Sequence, residues 1–336
     1  MRIALMTMNR MHAAADDPCV AIPISYEIVS AYAPLVDVLS DVIATLRTGR
    51  PVSAMVAFRS PWAQEFAPVP GAAGFQVVLS GTCWLLAPGA EPVPLAAGDV
   101  VFRPHGRGHV LADHPATRPD GPACDPLGPR PARSVVEVAD PTVVTLCGAY
   151  ELDPISTHPL LRDLPEVVHL PGRHPGLAAC VELLATELRR PRLGTDAVVP
   201  ALLETLLLLI LRTWLETGDA AAPARGWSAA LRDPAVSAAI QALHRSPATQ
   251  WTVAALAAEA GLSRAPFAAR FTRLVGQPPL TYLTWWRMTL AAGLLRSGDA
   301  PLAEVASAVG YRSEFAFAAA FKRHLGSAPG RWRRAA

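Results

Sequence analysis

Two segments near the C-terminal end of this 336-residue chain follow one plan, and that repetition constrains the fold more than any other feature. The first runs Thr252-Val-Ala-Ala-Leu-Ala-Ala-Glu-Ala-Gly261-Leu-Ser263; the second runs Pro301-Leu-Ala-Glu-Val-Ala-Ser-Ala-Val-Gly310-Tyr-Arg-Ser313. Each predicts a short amphipathic helix that stops at a glycine able to take the left-handed conformation. Each then has a serine placed to cap a second helix. A turn of three or four residues crosses two such helices steeply and lets the second project into a major groove. Leu256, Ala257 and Ala260 are predicted to pack on Phe267 and Phe271. Val305, Ala306 and Val309 are predicted to pack on Phe317 and Phe321. One copy would be a weak signal, because a helical hairpin in an enzyme looks the same. Two copies about 49 residues apart, joined by a stretch at 279–295 that suits one long helix, are a strong one.

Charge agrees with that pattern. The net charge is only +2, yet residues 226–336 hold 13 Arg or Lys against 5 Asp or Glu, which places +8 there and −6 on the rest. A basic third on an acidic body predicts a polyanionic partner for that third, with compositional drift as the alternative that charge alone leaves open. Lys322 is the only lysine, so the abundance of arginine is itself no signal. With 51% apolar and 17% charged residues, the chain has enough apolar side chains for a sizeable core and is not a disordered sequence. Its length suits two domains.

The five cysteines (Cys19, Cys83, Cys124, Cys147 and Cys180) are scattered, odd in number and without a Cys-x-x-Cys pair. That excludes a disulfide framework or zinc ribbon and points to a reducing cytoplasm. No signal-peptide pattern follows Arg2 and Arg10. The most apolar run, 198–211, contains Pro200 and Glu204 and is shorter than the ~20 residues that cross a bilayer, so no membrane association is expected.

The C-terminal residues resemble the AraC/XylS family of regulators over about 232–334. The likeness rests on Ala257, Gly261, Ser263, Phe271, Gly276, Pro279, Tyr282, Arg287, Ala291, Leu294, Leu295, Val305, Ala306, Gly310, Tyr311, Phe315, Phe321, Lys322, Gly326, Pro329, Trp332 and Arg333. The resemblance implies two helix-turn-helix units reading adjacent major-groove segments of double-stranded DNA, with RNA polymerase as a further partner. One departure matters. Family members often carry Arg in the middle of each recognition helix, where this chain has Ala269 and Ala319. A bidentate Arg–guanine contact contributes roughly 1–3 kcal/mol of discrimination. Base reading is therefore assigned to Arg264, Thr272, Ser313 and Glu314, with Ala265, Ala268 and Ala269 offering apolar contact to thymine methyls. Phosphate contact is assigned to Arg270, Arg273, Arg312, Lys322, Arg323, Arg331 and Arg333, which positions the protein without specifying sequence. For each arginine the alternative is a solvated or internally ion-paired side chain.

The N-terminal half reads differently. A helix is predicted from 34 to about 46. From 52 to 111, short apolar runs are cut by Gly and Pro: two strands around Ser80-Gly81, and a hairpin of 93–95 and 100–102 around Gly98-Asp99. Such spacing predicts a β-sandwich or barrel. Residues 114–133 read as a surface loop, strands resume at 134–138 and 142–147, and helices follow at 176–190 and 196–217. The second of these is apolar nearly all round. It belongs either in a core or against its twin, and a homodimer through 196–217 is the expected use. Gly98, Pro104, Gly106, His109 and Asp113 are spaced like the second cupin motif, and 52–150 resembles the cupin-type sensor domain of some AraC-like regulators.

The strand comparable to the first cupin motif, Phe75-Gln76-Val77-Val78, has no histidine, so the usual three-histidine metal site cannot be assembled. Cys83, His105, His109 and Cys147 are the candidate effector, redox or metal residues. A soft Cys/His set would suit zinc, stabilised thiolates would sense oxidants, and the stronger reading is structural cysteines around an apolar effector pocket. No cofactor is required.

The expected architecture is therefore α+β with two domains: an N-terminal cupin-like β-barrel with appended helices and a C-terminal all-α double helix-turn-helix domain. Its divisions are an arm (1–33), a sensor and dimerisation domain (34–217), a linker (218–231) and a DNA-binding domain (232–336). The expected function is that of a one-component transcription regulator that is not an enzyme, answering to a small molecule or oxidant. The alternative is a metal-dependent cupin enzyme fused to a DNA-binding module, which the missing histidines disfavour. A DNA-repair fusion would need a reactive-cysteine Pro-Cys-His motif, and the sequence has none.

Overall fold

The computed structural model describes residues 38–45, 51–125, 127–128, 133–152, 157–217 and 226–334, and these belong to one compact unit. The expected arm at 1–33 and Cys19 lie outside the described residues, as does the expected linker up to 225. After helix α1 (Val38–Thr45), ten strands form two sheets. Strands β1 (Val52–Phe58), β3 (Ala72–Ser80), β6 (Val100–Arg103), β8 (Arg133–Val136), β9 (Val143–Glu151) and β10 (Val168–Leu170) pair in the order β10-β6-β3-β9-β1-β8. Strands β2 (Ala63–Phe66), β4 (Thr82–Leu86), β5 (Val93–Ala96) and β7 (His109–Ala112) pair in the order β2-β7-β4-β5.

The period-2 alternation of strands divides the larger sheet into two faces. Ala73, Phe75 and Val77 of β3, with Phe102 and Tyr150, pack into a core shared with the helices. Gly74, Gln76 and Arg103 line the barrel interior instead. The expected hairpin around Gly98-Asp99 is not formed: β5 pairs with β4, whereas β6 pairs with β3 and β10. The reason is Asp99. Its carboxylate accepts from the backbone N–H of Ala96 and Gly172 and from His169, which turns the chain from one sheet into the other. Strands β3 and β4 do flank Ser80-Gly81 as expected, again in different sheets.

Helices α2 (Pro159–Arg162), α3 (Pro175–Arg189) and α4 (Thr195–Thr217) follow, and the Tyr150 hydroxyl donates to Leu203 O of α4 at 2.7 Å. Helix α4 has 23 residues, longer than its apolar run suggested. Val199, Leu203, Leu206 and Ile210 lie in this chain's own core. That corrects the use of this face as a contact with a second copy: its apolar character is met internally.

The C-terminal region holds α5 (Trp227–Arg232), α6 (Pro234–Arg245), α7 (Val253–Glu259), α8 (Arg264–Val275), α9 (Pro279–Ser297), α10 (Leu302–Ala308), α11 (Glu314–Leu325) and α12 (Pro329–Arg334). The expected linker thus ends earlier than 231. Trp227 is buried at 1% exposure, and burying a side chain of that size fixes α5 to the folded body. One continuous core runs from the larger sheet through α3 and α4 to the first helix-turn-helix unit and the first half of α9. The second unit packs around Met288, Ala291, Ala292 and Leu295 of α9 as a separate core.

A hydrogen-bonded relay threads the shared core. Leu160 N donates to His158 Nδ1 (3.0 Å), His158 Nε2 meets the Tyr282 hydroxyl (3.2 Å), that hydroxyl meets His244 Nε2 (2.6 Å), and His244 Nδ1 meets Asp41 (2.9 Å). A backbone N–H can only donate and a carboxylate can only accept. His158 therefore carries its proton on Nε2 and donates to Tyr282, and His244 carries one on Nδ1 toward Asp41; with burial keeping His244 neutral, Tyr282 donates to its Nε2. Burial holds both histidines below the ordinary value, His158 far below it; the His244 side chain lowers His158 further, while Asp41 pulls His244 back up. Protonating either ring costs the folded state a donor–acceptor match that the unfolded chain does not need.

Folding stability should accordingly be level above about pH 6.5, the unfolded histidine value, and fall as pH drops below it. Urea unfolding between pH 7.5 and 5.5 checks this, and His158→Gln, which cannot titrate, should lose less over the same interval. Tyr282→Phe should cost about 1–3 kcal/mol, because it leaves buried histidine nitrogens unpaired.

Candidate functional site

Each helix-turn-helix unit is built by local chemistry. Gly261 and Gly310 sit at φ +63° and +81°. At Gly310 a Cβ would lie 2.6 Å from Ala248 O, so both the conformation and the space require glycine. Thr252 caps α7 by accepting from Ala255 N (3.1 Å), and Ser313 caps α11 by accepting from Ala316 N (3.3 Å). Ser263 stands at the N-cap of α8 but makes no side-chain cap bond, which corrects its expected role. Phe267, Phe271, Phe317 and Phe321 are fully buried, as the spacing predicted.

Arg287 of α9 donates to Pro247 O and Thr249 O, and the Gln250 amide donates to Gly310 O. These bonds tie the loop before the first unit to α9 and to the turn of the second. The spacing of the two units is therefore set by hydrogen bonds as well as by helix length.

On the outward faces, Arg264, Ala265, Ala269 and Arg273 of α8 are exposed, while Ala268 and Thr272 are half-buried. Ser313, Glu314, Ala319, Lys322 and Arg323 are exposed on the second unit, with Arg312 before it and Arg331 after it. Two of the assigned phosphate contacts bond within the protein itself. Arg270 Nε donates to Asp233 at 2.6 Å, so its charge is engaged by the N-cap residue of α6. Arg333 is half-buried and donates to Ala300 O, which fastens α12 to the loop before α10. One residue was passed over as a contact. Phe315, in the first turn of α11, is 85% exposed. Its signal in the sequence was a bulky aromatic off the 317/321 packing stripe.

The barrel interior encloses a cavity of about 440 Å³. The half-buried residues of β1 (Val52, Ala54, Val56 and Phe58) form one wall. On the polar side the Gln76 amide nitrogen meets His109 Nε2 at 2.8 Å, and Phe66 stacks on the His109 ring at 4.6 Å. Arg103 is 3% exposed and spends Nη2 on Gly108 O (3.2 Å). Its Nε and Nη1 have no protein partner, nor does Gln76 Oε1, whereas the His109 ring also points an N–H at the Arg107 carbonyl. Burial, with the Arg103 charge beside it, pushes His109 down to about 3, so the ring is neutral.

The four sensor candidates do not converge. His109 and Cys147 line the cavity. Cys83 is packed in a separate cluster with Leu85, Leu95 and Leu111, and burial, helped by Asp99, pushes its thiol up to about 12. That thiol is neither a ready metal ligand nor a ready redox thiolate. His105 is bonded to Leu164 O at 2.9 Å and does not line the cavity. Cys124, which sequence reasoning left unassigned, does line it. Among the described residues no three His, Cys, Asp or Glu side chains stand close enough to hold a metal ion. The metal of the cupin motifs does not fit: the residues beside His109 are an amide and a guanidinium, and the second repels a cation.

Residues 37–216 match a cupin family, and residues 256–335 match a helix-turn-helix domain family. The chain is similar to a protein of Streptomyces lividans named as an AraC-like transcription regulator, with 39% identity over 308 residues, covering 89% of this chain and 98% of that one. A protein of Streptomyces antibioticus with the same description is 38% identical over 304 residues, with the same coverage. The HTH-type transcriptional regulator MtrA of Neisseria gonorrhoeae is 33% identical over 268 residues, covering 77% of this chain and 85% of that protein.

The two kinds of basic residue should separate experimentally. Arg270→Ala should lower stability by roughly 1 kcal/mol or less and leave the salt dependence of DNA binding unchanged. Lys322→Ala should leave stability unchanged and reduce the salt slope by about one. Thermal melts and a salt titration of binding read the two effects.

Proposed function

This chain belongs to the AraC-like transcription regulators, and we propose that it is a one-component regulator in which a signal held in the barrel cavity changes how two linked helix-turn-helix units meet their DNA sites. The observation that carries this is the core shared by the cavity-bearing half and the first unit, which ends at α9, the helix on which the second unit is built. A signal that binds two arrangements of that core unequally biases the position of both reading helices. Nothing in the scheme calls for a reaction step or a cofactor. Its site of action is the cytoplasm, on double-stranded DNA beside RNA polymerase.

Sequence preference is assigned to Arg264, with Thr272, Ser313 and Glu314, and Phe315 joins them as an apolar contact for thymine methyl groups. Arg312, Lys322, Arg323 and Arg331 supply phosphate contacts, as does Arg273, exposed on α8. The protein acts as a homodimer. With the inward face of α4 used internally, the contact falls to the outward face of the α3–α4 hairpin. There Leu183 is 59% and Val198 41% exposed, beside half-buried Leu202 and Leu209.

Binding of the purified protein to DNA upstream of its own gene, across a salt series with random DNA as competitor, tests the central claim. A steep salt slope with retained preference for the upstream fragment is expected, and absence of binding even at low salt would overturn it. Arg264→Ala should relax base preference, and Arg323→Ala should weaken all DNA about equally. Sedimentation should give a dimer at micromolar concentration and a monomer for Leu183→Glu; a wild-type monomer would remove the dimer from the scheme.

A further inference from the structure

We infer that the barrel cavity takes a small apolar carboxylate, its charged head set against Arg103 beside Gln76 and His109 and its tail against the β1 wall. This deepens the reading of the cavity as the signal site and rests on it. Arg103 closes β6, and strand alternation places it on the same inward face as Val101. Its neighbour across the ladder is Gly74, which has no side chain to fill the space beside the guanidinium.

The case turns on charge. A guanidinium 3% exposed with two of its nitrogens unpartnered is a buried charge that an anion in the cavity would match. Among the described residues no carboxylate forms an ion pair with Arg103. Glu166, whose charge also reaches Arg103, pairs with Arg107 at 3.0 Å, and Asp99 is held by His169 and two backbone N–H groups. Asp125, also on the cavity lining, is an exposed residue whose Oδ1 accepts from Leu127 N.

When the Gln76 amide donates to His109 Nε2, the proton of the neutral ring sits on Nδ1 and is directed at the Arg107 carbonyl, so the free donors of the site are those of Arg103. Opposite these donors the wall is Val52, Ala54, Val56 and Phe58. A sugar would leave hydroxyls unpaired against that wall, whereas an alkyl or aryl tail buries against it at a gain of roughly 25 cal/mol per Å². A volume of about 440 Å³ falls in the range of small-molecule sites.

The test uses DNA-free, full-length protein and calorimetric titration with octanoate and 3-phenylpropanoate, each against its primary amide. At least one carboxylate should bind, and its amide at least about tenfold more weakly. Arg103→Met should abolish that preference. Gly74→Leu should block both forms, since a Cβ there meets nothing nearer than Gly148 O at 3.8 Å and the larger side chain extends into the cavity. Equal binding of acid and amide would overturn the inference, as would carboxylate binding undiminished in Arg103→Met, or no carboxylate binding up to roughly millimolar concentration. The acid–amide comparison needs no variant, so it stands if Arg103→Met does not fold. Because DNA is absent, failure here leaves the DNA-binding result intact, and failure of DNA binding leaves this result intact.

Discussion

The Tyr282 hydroxyl lies 2.6 Å from His244 and 3.2 Å from His158, at the centre of a core that no single domain owns. Asp41 and His158 come from the barrel-bearing half, His244 and Tyr282 from the DNA-binding half. The relay crosses between the halves and fixes each proton along its way. Around it, Trp227 meets His158 edge-on and Trp286 stacks on His244. Buried polar groups of this kind favour one arrangement strongly when fully matched and oppose any arrangement that mismatches them. The first helix-turn-helix unit is therefore held as part of the sensor body. The second is reached only through α9, whose far half packs in a core of its own.

That asymmetry gives the two units different mechanical standing. A rearrangement of the barrel half acts on the first unit by direct packing and on the second through a single helix, braced at one point by Arg287 and Gln250. The continuous core holds the first unit to the barrel half more firmly than α9 and these few bonds hold the second unit to the first, so the middle of α9 is the joint about which the second unit can shift.

The helix-turn-helix repeats were legible because everything that defines them is local. A glycine at positive φ, a serine two or three residues on and phenylalanines four apart all lie within about one helical hairpin. Strand existence in the barrel was legible for the same reason, and strand pairing was not. The hairpin expected across Gly98-Asp99 failed because Asp99 finds Gly172 and His169, seventy or more residues away. The relay was invisible for a stronger reason: His158 and Tyr282 are 124 residues apart, and neither carries a motif that names the other. Arg270 and Arg333 looked like any surface arginine until Asp233 and Ala300 O took their donors. Arg103 was passed over because a charged residue ending an apolar strand reads as the first solvated position, and only the sheet register shows it pointing inward.

That inward arginine also explains why the cupin resemblance and the absence of cupin ligands are compatible. In a metal cupin the barrel's positive charge is a bound ion, held by histidines and lost with them. Here the positive charge is covalent. Arg103 projects it into the interior, Gln76 stands on the strand where a histidine would have been a ligand, and His109 is kept neutral by burial and by the very charge that displaces a cation. A fixed guanidinium has no open coordination position and activates no water, so it lends itself to recognition rather than turnover. The absence of a metal-ligating histidine at Gln76 and the presence of Arg103 act in the same direction, against a bound cation.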